Sequence, residues 1–211
     1  VASGVRQEIG KDVVKISTDE QAARAREQVT ALLAGPLSAE QAVQIALLNN
    51  RTLQAAYNDL GISEAAYVQA SLPPNPALSL LRVAGTGVAN FEVRLIEDIL
   101  NLITLPRRTA IAAERFGQAR YRAIEATLRL AADARRAYVR AIASRQQVGF
   151  LEQTRATADT AARLIAGMGE AGGGDRLDQA EIAAFRAELS ARVAQAELRA
   201  RRDHEALVRL L

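Results

Sequence analysis

Few residues in this 211-residue chain have the type and spacing to do chemistry. His204 is its single histidine and cysteine is absent, so no second nitrogen or thiolate stands at metal-ligand spacing. His204 therefore reads as a surface helix residue. Glu92 and Glu97 come nearest to a paired carboxylate, but successive strand residues point to opposite faces and no pocket is implied. The glycine runs at 85–87 and 172–174 lack the lysine and the strand-to-helix context of a phosphate loop and read as turns. Tyr57, Tyr67, Tyr121 and Tyr138 fall at helical packing positions, where core or interhelical contact is expected. No nucleophile, general base or metal-bound water is assembled by these residues, so the chain is not read as an enzyme and calls for no cofactor or metal.

The elements that would position any site are mostly helical. Hydrophobic residues make up 49% and aromatics only 4%, so alanine and leucine fill the apolar quota, as in long helices packed at close range rather than in a β-sandwich. The net charge of +3 is carried almost entirely by arginine, the only lysines being Lys11 and Lys15. Those arginines alternate with glutamate and aspartate along helical stretches such as residues 186–209, the pattern of a solvated helix face rather than a nucleic-acid surface. No apolar run reaches the roughly 18 to 20 residues of a membrane-spanning helix. Val1 is not a start methionine, so a signal peptide is expected to have been removed or left out.

Residues 1–36 are polar and weakly patterned, an extended leader with one short helix from about Asp19 to Leu33, closed by Gly35 and Pro36. Ser38 and Gln41 then form a capping box, with Leu37 and Ala42 where a hydrophobic staple would sit. Ile45, Ala46, Asn49 and Leu53 continue the three- and four-residue steps of an amphipathic helix over 38–72, bent near Asn49 and Asn50 and stopped by Pro73.

Beyond Pro73 the period changes from 3.6 to 2. Leu78 and Leu80, then Phe91, Val93 and Leu95, alternate with Ser79, Glu92 and Arg94, which predicts a β-hairpin over 75–100. A lone hairpin is marginal in water and must pair with something else. Pro106 is placed at the start of a very long helix, 106–167, whose interior Gly117 and Gly149 each cost about 1 kcal/mol. Ala131, Ala132, Ala134, Ala137, Ala141 and Ala143 spread over more than one face of it, as for a helix with neighbours on two sides. A glycine-rich tip turn at 168–175 reverses the chain into a last helix, 176–211.

Over Leu37 to Leu211 this arrangement resembles the TolC-like outer-membrane efflux proteins. Leu37, Ser38, Ala42, Ala46, Leu47, Asn49, Asn50 and Leu53 fill the opening pattern of that family's repeat in register. Pro74, Asn75 and Pro76 match its approach to the first strand, Pro106, Arg107 and Arg108 its return from the hairpin, and Ala166, Gly167, Leu177, Asp178 and Ala180 its distal turn. Arg51, Gln179 and the additional Gly172, Gly173 and Gly174 depart from the pattern. The leader and residues 97–106 look more like the heavy-metal and solvent efflux branch.

The resemblance implies a mostly α protein with a β-hairpin: a long-helix α-barrel crossing the periplasm, joined to an oligomeric transmembrane β-barrel. The resemblance implies a trimer of two-repeat chains, so this chain is expected to be either the first half of a longer protein or one of six copies supplying twelve strands; the first is preferred because Leu211 falls inside a helical pattern. Phe91, Val93 and Leu95 would face outer-membrane lipid and Glu92 and Arg94 the lumen. Gly167, Gly169, Glu170, Asp175 and Asp178, at the distal turn, are the implied contact with a periplasmic adaptor and the implied gate. Carboxylates there could form a cation-selective ring in the oligomer, while Asp175 could equally cap the last helix. The implied function is passive export of small molecules or metal ions from an inner-membrane pump, with no nucleic acid involved. A soluble periplasmic helical-hairpin adaptor or scaffold is the alternative; it explains the long helices equally well and the alternating hairpin poorly.

Overall fold

The computed structural model describes residues 15–16, 18–73, 95–170 and 176–211, giving the backbone alone for 95–101, 169 and 170. Five helices account for nearly all of them: α1 (Asp19–Leu33), α2 (Ala39–Asn49), α3 (Arg51–Ser71), α4 (Leu95–Glu170) and α5 (Arg176–Leu210). No strand occurs among the described residues, and the protein is mostly α as its composition predicts. The expected hairpin lies outside the described residues except at its end. There Leu95 to Leu100 are helical, so Leu95, expected to face lipid from a strand, is instead the first residue of α4.

Leu95, Ile99, Leu102 and Ile103 recur at three- and four-residue steps, so the helical period sets in before Pro106. Pro106 consequently sits inside α4 rather than at its start, where its ring removes one ladder hydrogen bond. The helix is 76 residues long, against the 62 expected between 106 and 167.

The chain divides into two compact units. In the first, which includes residues 95–128 of α4, α3 runs against the part of α4 between 108 and 127. The direction is antiparallel, because Tyr57 meets Thr127, Tyr67 meets Phe116 and Ala70 meets Thr109. Tyr67 and Phe116 stack with ring centroids 6.0 Å apart and planes 9° apart. The leader touches this unit at Ile16, whose backbone N–H donates to Gln54 Oε1 at 3.0 Å.

The second unit joins α1, α2, residues 129–170 of α4, and α5. Thr18 caps α1 by accepting from the Gln21 N–H. The Ser38–Gln41 capping box forms as expected, with the Ser38 N–H donating to Gln41 Oε1 at 2.8 Å and the Gln41 N–H to Ser38 Oγ at 3.2 Å. The helix it opens is not amphipathic, however. Ala42, Val43, Ile45, Ala46, Leu47 and Leu48 are all buried, which at 100° per residue covers every side of α2 and makes it the central helix of this unit.

The expected bend near Asn49 is a full break. Asn50 has extended backbone, φ −71° and ψ 116°, separating α2 from α3. The amides of Asn49 and Asn50 turn to the end of α5, donating to the carbonyls of Leu211 (2.7 Å) and Leu210 (3.3 Å), groups that a helix terminus otherwise leaves without partners.

Candidate functional site

The long hairpin of α4 and α5 in the second unit carries the residues expected to act. Each helix contributes one seam. On α5, Leu189, Val193, Ala196 and Leu207 are buried and Ala200, Asp203 and Leu210 are half-buried, alternating steps of four and three. On α4, Leu130, Ala134, Ala137, Ala141, Ser144, Val148 and Leu151 alternate in the same way, with Ala158, Ala162 and Ile165 continuing the register. Such steps define a heptad seam. The helices are antiparallel, since Arg186 Nε donates to Asp159 Oδ1 at 2.6 Å and Val148 and Ala200 line one shared cavity. Alanine and serine dominate the α4 side.

The alanines expected to serve two faces divide accordingly. Ala131, Ala134 and Ala137 are buried and Ala141 is half-buried, whereas Ala132 and Ala143 are exposed. Their face continues as a second stripe, Val139, Ile142, Gln146, Phe150, Gln153, Thr157, Thr160, Leu164 and Met168, again at three- and four-residue steps. Every one of these residues is exposed and none is charged. At 100° per residue the stripe is turned roughly 160° from the buried seam. Phe150 is 67% exposed and Leu164 66%.

The outer surface of α5 is different. Glu188–Arg192 and Glu205–Arg209 are i,i+4 ion pairs within the one helix, while Glu197–Arg201 is a third that borders the cavity shared with α4. They satisfy its charges locally, each worth a few tenths of a kcal/mol in water. His204 is exposed among them. Among the described residues no group of three or more histidine, aspartate or glutamate side chains is placed to hold a metal ion.

The tip candidates flank one connection. Gly167, Gly169 and Glu170 lie in the last turn and a half of α4, and Asp178 lies in the first turn of α5, so the hairpin brings them to the same end. Gly167 is exposed, and a Cβ added there would meet nothing within 4 Å. Asp178 is exposed and has a structural role as well, its negative charge complementing the N-terminal end of the helix dipole. Asp175 lies outside the described residues, as do Phe91, Glu92, Val93 and Arg94.

The tyrosines expected at packing positions mostly take them. Tyr57 is buried, Tyr67 stacks on Phe116, and the Tyr138 hydroxyl donates to the Leu37 carbonyl at 2.7 Å. Tyr121 is the exception at 69% exposed. The second stripe on α4 was not singled out from the sequence, although its signal is there: thirty residues whose charged positions all avoid one helical face. No family model, curated protein or solved structure matches the chain.

Proposed function

We propose that the chain is a wall component of a multi-chain conduit, the outer-membrane channel of a tripartite efflux system through which small molecules or metal ions pass passively. The observation that supports this reading best is the exposed, uncharged stripe on α4, opposite the seam that α4 shares with α5. A helix that ends its contacts at one neighbour is expected to solvate its outer face as α5 does, with paired charges. A helix that keeps Val139, Ile142, Phe150, Leu164 and Met168 in the open is suited to a second lateral neighbour. Covering each of these half-exposed side chains contributes about 1 kcal/mol or more. Helices in the wall of a tube have neighbours on two sides.

In this reading the α4–α5 hairpin spans periplasm, and its tip, with Gly167, Gly169, Glu170 and Asp178, meets a periplasmic adaptor joined to an inner-membrane pump. Repetition around the tube would bring the tip carboxylates into a ring that favours cations. Segment 74–94 would supply the membrane strands. No helix among the described residues is long and apolar enough to cross a membrane. Conduction needs no covalent step, and no enzymatic activity is proposed.

A soluble helical-hairpin adaptor or scaffold is the second reading, favoured by the wholly helical character of the described residues and by the self-contained charge pairs of α5. Particle shape separates the two. Negative-stain electron microscopy of the natural full-length product, extracted in detergent and weighed by mass determination, is expected to give hollow three-fold cylinders. Water-soluble monomers or dimers without a lumen would overturn the channel and leave the adaptor.

A further inference from the structure

Glycine in a helix interior lowers helix stability and leaves a bare patch that a neighbour can approach. At Gly61 in α3 that patch is taken. A Cβ added there would lie 2.6 Å from Lys15 Nζ and 4.0 Å from its Cε. At Gly117, Gly149 and Gly167, the other helical glycines whose surroundings are described, it would meet nothing within 4 Å. Gly61 is thus set apart by the tip of a side chain that reaches it from the leader.

A second contact fixes the adjacent residue. The Ile16 N–H donates to Gln54 Oε1 at 3.0 Å, a half-buried bond between positions 38 apart in the chain. Gln54 and Gly61 are seven residues apart, two turns and about 10 Å along one face of α3. Leader residues 15 and 16 therefore meet the same helix at two levels, the backbone of Ile16 at one and the stem of Lys15 at the other. All four residues belong to the first unit. Lys15 is exposed, so its ammonium stays in water while its last methylene lies against the glycine.

We propose that Gln54 and Gly61 form a two-point seat on α3 that holds residues 15 and 16 of the chain's own leader as a strap over the first unit. The seat engages both groups that a lysine-specific protease must take hold of, the Lys15 side chain and the peptide bond from Lys15 to Ile16. The closed strap masks that bond, and cleavage waits on local opening of the seat. The strap does not depend on whether the protein forms a conduit.

Limited digestion of the 211-residue chain with a lysine-specific endoproteinase tests the strap. Lys11 and Lys15 are the only lysines, and mass spectrometry separates the product that begins at Ile16 from the one that begins at Asp12. Cleavage after Lys15 is expected to be about fivefold faster in Gln54→Ala, which removes the acceptor of the Ile16 N–H. A similar rise is expected in Gly61→Leu, which fills the seat, and about a twofold rise in Gly61→Ala, which displaces only the tip of Lys15. Gln54→Glu keeps an acceptor oxygen and is expected to hold the natural rate. Circular dichroism and the melting temperature must show each variant folded, and Gly61→Ala stands in should Gly61→Leu fail to fold. Gly117→Ala stabilises the same unit without touching the seat and is expected to leave the rate unchanged. A natural rate in both Gln54→Ala and the Gly61 variants would overturn the seat, as would slower cleavage in Gly117→Ala, which would route the cut through global unfolding.

Discussion

The hydroxyls of Tyr57 and Thr127 lie 2.9 Å apart across the first unit, and the proton between them belongs to Tyr57. Thr127 has a single hydroxyl proton, which it donates to the Ala123 carbonyl at 2.8 Å, so toward Tyr57 it can only accept. Both side chains are buried. This direction makes the two partners unequal. Tyr57→Phe removes a donor and leaves Thr127 bonded to Ala123, with an expected cost of about 0.5–1.5 kcal/mol. Thr127→Val strands the buried tyrosine hydroxyl and is expected to cost more, about 1–3 kcal/mol. Urea midpoints of the two variants and of the double variant measure the difference. A larger loss in Tyr57→Phe than in Thr127→Val would reverse the assigned direction.

The same phenol ties stability to alkaline pH. Burial raises the Tyr57 pKa above its usual 10.0. A group whose folded-state pKa is raised contributes stability that is complete below the unfolded value and is lost as pH rises through the folded value. The contribution of Tyr57 is therefore present below pH 10 and disappears above it. Melting temperatures measured from pH 8 upward are expected to fall more steeply above pH 10 in the natural chain than in Tyr57→Phe. Identical slopes would remove Tyr57 as the source.

Three residues inside α4 weaken it without visible compensation in the chain. Pro106 is exposed in the helix interior, where proline costs about 3 kcal/mol relative to alanine. Pro106→Ala also frees the unfolded chain by about 0.4–1 kcal/mol, so a net gain of about 2 kcal/mol is expected. A Cβ at Gly117 or Gly149 would meet nothing within 4 Å, and each glycine-to-alanine change is expected to add about 1 kcal/mol. The two glycines lie in different units, so their gains should add. Denaturant unfolding of the chain checks all three, and a loss on Gly149→Ala would reveal a close neighbour on that side of α4.

Local signals made most of the helical fold readable in the sequence. Ser38 with Gln41 and Gly35 with Pro36 mark helix boundaries through backbone hydrogen bonding and φ restriction, which need no knowledge of the rest of the chain. The errors arose where tertiary partners decide. Asn50 breaks α2 from α3 while its amide and that of Asn49 serve carbonyls some 160 residues away, a relationship no window of sequence contains. Pro106 reads locally as a helix start, yet the apolar spacing of Leu95, Ile99 and Leu102 already has the helical period. At the tip, Gly167 and Asp178 fall on the flanking helices α4 and α5, on either side of the glycine-rich sequence 171–175. The exposed face of α4 was harder to read, because alanine is compatible with either a buried seam or an open one.

The uncharged face of α4 makes a prediction that the folded chain alone can pass or fail. Phe150 is 67% exposed, so Phe150→Asp removes no core contact and should change the stability of the isolated chain by no more than about 0.5 kcal/mol. If that face meets a neighbouring helix, the same aspartate would be buried without a partner, a penalty of several kcal/mol repeated in every subunit. In the natural full-length product, Phe150→Asp is therefore expected to convert assembled particles to smaller species while helicity and melting temperature of the chain stay as they were. A control on the charge-paired side, Arg192→Asp, places its aspartate opposite Glu188, where the expected loss is only the surface ion pair and mild repulsion. Sedimentation velocity reads both variants. Assembly lost in Phe150→Asp and retained in Arg192→Asp would assign the interface to the α4 stripe, whereas intact assembly in Phe150→Asp would leave that stripe to solvent and withdraw the main support for a helical tube.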